Sequence, residues 1–433
     1  SQFTKLLNFN GTNGSAPKGK LIQATDGNIY GVTEVGGANS RGVLFRYVIN
    51  TNTYSVLYQF NNDGRNPKGG IMQALNGKLY GLAFSGGANG TGVLYEFDYS
   101  TNTYTKHVDF SDTTNGRYPV SDLTEAPNGK LYGVTTSGGI NNDGTLFSFN
   151  TSTNTLVKHY NFTFVTGSKP ECRLTALSNG MLYGVTTEGG SGKIFSFNSV
   201  TNTYSMLNSF GSSNPGTIPI GGLLYTTAGD LIGITSLGGF GNNSVLYKYA
   251  ISTNIFTSYF YFNDLPDGGV PNGRLLKASD GNYYGLTSEG GLNGFGTIFK
   301  FNPVTNSYTT IVNLASATGY DEGNSMVQAS NGIIYGLHKK GGTSGQGSIF
   351  SLNPITNTYS ILHNFSVTSD GGFPVGGLVP APGGKFYGVT FYGGVNSVGT
   401  IFSYNINTST FAVVANFSDR KSTRLNSSHA TLS

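Results

Sequence analysis

The chain has 433 residues, of which 65 are glycine, 11% are charged, 13% are aromatic, none is tryptophan and one is cysteine. So little charge with so many aromatics is the reverse of a disordered composition. One cysteine excludes a disulfide framework or a Cys-rich zinc site, and the lack of a long apolar run excludes a membrane-spanning helix. A net charge of +4 is too weak to track a phosphate backbone, so nucleic acid is not an expected partner.

The first strand-like run is Phe3–Phe9. It matches Tyr54–Phe60 and Phe411–Phe417 and so reads as an outer strand. From there the chain repeats itself. Tyr-Gly recurs at Tyr30, Tyr80, Tyr132, Tyr183, Tyr284, Tyr335 and Tyr387, with Ile232 in the divergent copy, at spacings of 50, 52, 51, 49, 52, 51 and 52 residues. Units of this size that cannot bury both faces alone must stack on their neighbours.

Each unit carries four strand-like runs. In the second unit they are Ile71–Ala74, Lys78–Phe84, Val93–Asp98 and Thr103–Phe110. Runs one and two are joined by Asx-Gly pairs such as Asp26-Gly27 and Asn76-Gly77, which predict type I′ hairpins with both central residues at positive φ. Ala228-Gly229 and Gly383-Gly384 are the weaker copies. Runs three and four are joined by Thr-Asn turns, and runs two and three by a longer loop opening with Gly-Gly. The innermost run is apolar on both faces, with Leu21, Ile71, Leu123, Leu174, Leu223, Leu275, Met326 and Leu378 in one register. The expected fold is all-β: a β-propeller of eight four-stranded antiparallel blades, with a nine-bladed ring or a β-solenoid as alternatives. Eight inner runs face nine outer ones. Phe3–Phe9 is therefore expected to close the ring against the last blade, leaving Phe411–Phe417 spare.

Residues 1–418 are expected to form this single domain of eight repeats. Asp419–His429 reads DRKSTRLNSSH, which back-translates into a short-read sequencing adapter, so 419–433 is expected not to be natural protein. Leaving out Asp419, Arg420, Lys421 and Arg424 lowers the net charge from +4 to +2.

The composite pattern is Gly-x-x-Pro, an apolar run, Asx-Gly-x-Leu-Tyr-Gly-Val-Thr, Gly-Gly, Gly-Thr-Ile-Phe and Thr-Asn-x-Tyr. Gly281–Thr287 and Gly296–Phe299 are good copies. It resembles the bacterial GloVer (Gloeo/Verruco-type) tandem-repeat family over nearly all of residues 1–417. That resemblance implies a secreted or cell-surface location, with an anchor beyond Ser418, and no defined activity. More distantly, the repeat is similar to the propeller repeats of two-component sensor ectodomains, which place Trp where this chain has Tyr30 or Tyr80.

Chemistry is expected on the face of variable loops, not on the face of uniform hairpins. The interblade loops share Gly-x-x-Pro, as at Gly14/Pro17 and Gly116/Pro119, which reads as a terminator steering the chain into the next inner strand; the seventh copy has Gly319 and Glu322 instead. Directly after it one register varies: Lys20, Gly70, Asp122, Arg173, Gly222, Arg274, Ser325 and Gly377. These positions begin the inner strands and should ring the channel mouth. Lys20, Asp122, Arg173 and Arg274 are the candidate ligand-binding residues, for an anionic or polyhydroxyl ligand held by the two guanidinium forks. A solvated rim without a ligand is the competing reading.

The remaining candidates carry less. Glu34, Glu188 and Glu289 read as exposed loop charges, too far apart for paired-carboxylate chemistry. Asp63, Asp112, Asp267 and Asp370 lack the ligand spacing of a calcium loop. His107, His159, His338 and His363 form no close ligand pair, and Cys172 reads as a small buried side chain. No phosphate-binding loop occurs. No catalytic residue, metal or cofactor is assigned. The expected function is an extracellular or cell-surface module binding a glycan or protein; the alternatives are a polysaccharide lyase or hydrolase, or a sensor ectodomain.

Overall fold

The computed structural model describes residues 13–211, 216–239, 243–320 and 326–416. They form eight separate four-stranded antiparallel sheets, each built from consecutive strands. Blade 2 is typical: Met72–Gln73, Leu79–Ala83, Val93–Asp98 and Thr103–Asp109, from the axis outward. The innermost strands of blades 5, 6 and 8 are longer, at Thr217–Tyr225, Gly269–Lys277 and Gly372–Ala381, each interrupted by a bulge. No helix among the described residues is long and apolar enough to cross a membrane.

The core lies between blades. Eight apolar clusters each join one blade to the next, and one of them packs Leu21, Val43 and Phe45 of blade 1 against Tyr387, Val389 and Ile401 of blade 8, which closes the ring. At the outer rim the interfaces alternate. Face-to-face stacks at 3.5–3.7 Å join Tyr58 to Tyr104, Tyr160 to Tyr204, Phe260 to Tyr308 and His363 to Phe411. These fall between blades 1 and 2, 3 and 4, 5 and 6, and 7 and 8. The corresponding pair between blades 2 and 3 is Val108 and Leu156.

The Tyr-Gly signature has a packing cause. The glycine pairs with an aromatic on the third strand, as Gly133 does with Phe147. A Cβ on Gly133 would stand 2.6 Å from the Phe147 ring, so only glycine lets the ring lie flat across the strand. The tyrosine is tied to the hairpin. Tyr30 and Tyr284 donate to Asp26 and Asp280, and Asn76, Asn128 and Asn331 donate to Tyr80, Tyr132 and Tyr335, all within 2.8–3.0 Å. Blade 5 lacks both partners, with Ile232 and Ala228.

Two expectations are corrected. The hairpins are not type I′: Gly27 lies at φ +80°, but Asp26 is not at positive φ. The Gly27 amide donates to the Ala24 carbonyl at 2.9 Å and the Ala24 amide to Asn28 at 3.0 Å, which makes a three-residue loop ending in a left-handed glycine. The Asx side chain serves the turn differently, accepting the amide two residues on. The second correction concerns the ends. Thr410–Asn416 is the paired outer strand of blade 8, not a spare. Phe3–Phe9 and the adapter-like tail lie outside the described residues.

The Gly-x-x-Pro element staples blades together. A Cβ on Gly92 would meet the Pro119 ring of the next blade at 2.7 Å, and Gly192 stands in the same relation to Pro219 at 2.6 Å.

Candidate functional site

The chain converges on the channel at one register of small residues, just before the inner strands of blades 1–4 (Gly19, Gly69, Ser121 and Cys172) and within those of blades 5, 6 and 8 (Gly221, Gly273 and Gly376). A Cβ on Gly19 would stand 2.7 Å from the Gly69 carbonyl oxygen, and one on Gly376 3.0 Å from that of Gly19. Backbones this close leave no room for larger side chains, and the next residue in the chain supplies the lining of the channel mouth.

That next register is where the sequence places Lys20, Asp122, Arg173 and Arg274, and the structure brings the four together. Lys20, Asp122 and Arg274 line one cavity of about 280 Å³. Asp122, Arg173 and Arg274 line a second of about 390 Å³. Lys20 and Arg274 border a third of about 450 Å³. Ser325 of the same register lies outside the described residues.

The glycines of this register make the convergence possible. The Gly70 amide donates to Asp122 Oδ1 at 2.7 Å, so the carboxylate lies across blade 2. Arg274 lies over Gly222, where a Cβ would stand 3.7 Å from its guanidinium. Arg173 Nε donates to Thr124 Oγ1 at 3.3 Å, and Thr124 donates on to the Leu174 carbonyl. Arg274 thus reaches from blade 6 toward Arg173 of blade 4, and Asp122 from blade 3 toward Lys20 of blade 1.

Electrostatics follow from this placement. Loss of bulk water, then repulsion from Arg173 and Arg274, holds the Lys20 ammonium below the usual lysine value; Asp122 opposes the effect. Burial and Arg173 lower Arg274 in the same way. Lys20, Arg173 and Arg274 outnumber the carboxylates of Asp122 and Glu171 that line the same cavities, so the mouth carries net positive charge.

Lys18 and Lys68 also line the mouth and are not among the sequence candidates. Their signal is the repeated Pro-Lys-Gly at 17–19 and 67–69. Lys18 pairs with Glu34 at 2.6 Å, and Lys68 lies 3.6 Å above the Phe84 ring. Glu34 is thereby corrected: its side chain is 14% exposed and paired, not a free loop charge. Glu188 is exposed and pairs with Lys169 at 2.6 Å. Glu171 lines the second cavity.

Cys172 Sγ contacts the Val185 amide and carbonyl at 3.2 and 3.3 Å, and burial pushes its thiol pKa up, which is the opposite of an activated nucleophile. The histidines are engaged singly: His107 with Glu96, His159 with Ser148, His338 with Tyr359 and His363 with Asp370. Asp63 pairs with Lys106 and Asp112 with Arg117. Among the described residues no group of three or more His, Cys, Asp or Glu is placed to hold a metal ion.

The sequence model of a family described as the Gloeobacter/Verrucomicrobia repeat matches residues 1–193, 176–331 and 226–432. No curated protein matches the sequence. Among solved structures the chain is similar to dipeptidyl peptidase 4 of Porphyromonas gingivalis, at 10% identity and a TM-score of 0.55 over 97% of this chain and 63% of that one. A fungal alcohol oxidase of the AA5 family, in complex with copper, matches at 13% identity and 0.50 over 96% and 99%. An extracellular domain assigned to a hybrid two-component system of B. thetaiotaomicron matches at 12% identity and 0.43; this chain is covered to 94% and spans about half, 55%, of that one. At these identities the likeness is one of fold alone.

Proposed function

The chain belongs to the Gloeobacter/Verrucomicrobia repeat family, and from that premise we propose that it is an extracellular binding module holding an acidic glycan in the mouth of its central channel. One observation carries the reading: Lys20, Arg173 and Arg274 share the cavities of the mouth with Asp122, where loss of water and the two arginines disfavour the charge of Lys20, and loss of water and Arg173 that of Arg274. An anion entering the mouth relieves that repulsion. Planar guanidinium groups bind carboxylate or sulfate through two parallel hydrogen bonds, which a lysine ammonium cannot do. The surrounding loops are rich in Asn, Thr, Ser and Tyr, which supply uncharged donors and acceptors for sugar hydroxyls.

The test is a glycan array that pairs uronate-containing or sulfated oligosaccharides with neutral ones of the same backbone, followed by product analysis of every hit. Retention of the acidic members only, with no cleavage, is the expected result. Equal retention of neutral partners, or no retention of any acidic glycan, overturns the proposal. Cleavage of a retained glycan replaces it with the enzyme reading.

A further inference from the structure

Below the cationic mouth the chemistry changes. The cavity of about 450 Å³ has Lys20 and Arg274 at its edge, and its walls include Ile220, Leu224, Leu275, Leu276, Val327 and Pro380. Apart from the exposed Pro380 these side chains are half-buried, so the channel keeps part of their apolar surface in contact with its interior. The apolar stretch has length as well as width: Arg274 and Lys277, three residues apart on one strand, both line it, a span of at most about 10 Å, since the strand bulges between Asn272 and Leu276. Its size falls in the range of small-molecule sites. Water against such walls finds few polar partners and is readily displaced.

We propose that this channel binds an amphipathic anion, with its acidic head at Lys20 and Arg274 and its apolar chain against Leu224, Leu276 and Val327. The inference rests on the mouth reading for the head group only. The walls add a requirement that a wholly hydrophilic glycan does not meet, and an acidic glycan attached to an acyl chain meets both. Charge complementarity sets the orientation, because two cations, Lys20 and Arg274, border one end against the single ammonium of Lys277 at the other, with apolar walls between them.

Calorimetry on the intact chain tests it with hexanoate, octanoate and decanoate, all below their micellar concentrations, beside decyl maltoside and trigalacturonate. Affinity should rise roughly fourfold for each methylene transferred from water to an apolar wall, so each pair of methylenes should give roughly fifteenfold. Leu224→Gln should flatten that series while leaving trigalacturonate binding intact, which also shows that the variant folds. Affinity independent of chain length, or binding of trigalacturonate with none of the fatty acids, overturns the channel inference and leaves the mouth reading standing. Decyl maltoside binding as tightly as decanoate overturns the mouth reading and the orientation with it. Failure of every probe overturns both.

Discussion

Replacing His338 with threonine separates a repeat's architecture from its acid sensitivity. Thr33, Thr135, Thr186, Thr235, Thr287 and Thr390 hold this position in six other blades. In blade 7 the imidazole is fully buried, 2.8 Å from the Tyr359 hydroxyl and stacked on Phe350 at 4.5 Å. Ser348 and Gly319 lie beside it, and none of these neighbours is a carboxylate that would stabilise an imidazolium. Burial pushes its pKa down to about 3. Unfolding releases it to a value near 6.5, so below that pH the unfolded chain binds the extra proton. The stabilising effect of the neutral ring is complete above about pH 6.5 and is lost as the pH falls toward 3. At 1.36 kcal/mol per pH unit, the loss is roughly 1 kcal/mol at pH 5.5 and roughly 3 kcal/mol at pH 4.5. With an unfolding entropy near 2.1 cal/mol/K per residue over about 400 residues, the larger figure is roughly 3 °C in Tm. Thermal melts of the natural chain and His338→Thr from pH 8 to 4.5 read this directly. The variant starts lower, because threonine leaves part of the site empty, and its deficit should shrink as the pH falls. A deficit that stays constant across the range refutes the reasoning. Acidic groups such as Glu96 and Asp370 titrate in both proteins and cancel in the comparison.

Gly133→Ala should destabilise the ring by about 1–3 kcal/mol through overpacking against Phe147, measured by urea unfolding; Gly133→Ala with Phe147→Leu should recover part of the loss, and strict additivity would show that the ring is not the cause. Asp280 accepts the Asn282 amide at 3.0 Å and the Tyr284 hydroxyl at 2.8 Å. Asp280→Ala should therefore cost about 1–2 kcal/mol, and adding Tyr284→Phe should cost little more; full additivity of the two would deny the shared hydrogen bond.

Blade number and the Tyr-Gly register were legible because each copy solves the same local packing problem. Gly133 must clear Phe147, and eight copies average out the noise of any one. The third strand of blade 2, Val93–Asp98, is where alternation and turn residues placed it. The hairpin type was not legible, because Asn-Gly occurs both as the central pair of a two-residue loop and as the end of a three-residue one; only the φ of Asp26 separates them. The pairing of Thr410–Asn416 with blade 8 was not legible, because its match to Phe3–Phe9 is symmetric and sequence similarity does not say which copy pairs there. At the mouth the register of Lys20, Asp122, Arg173 and Arg274 was legible from the turn that precedes it. The reach of Arg274 over Gly222 was not, since it depends on how a ring brings blades 4 and 6 together. The pairing of Glu34 with Lys18 was hidden for a similar reason: sixteen positions of chain separate residues that only the loop geometry joins.

The central claim is that uncompensated positive charge at the channel mouth is what a ligand meets. Its most direct measurement is the affinity of the tightest acidic glycan for the natural chain and for Arg173→Ala/Arg274→Ala, each at low and at moderate salt. The account predicts that the double variant, with an unchanged melting temperature or a raised one, loses binding at least a hundredfold and with it most of the salt dependence. Unchanged affinity in a folded double variant would contradict it.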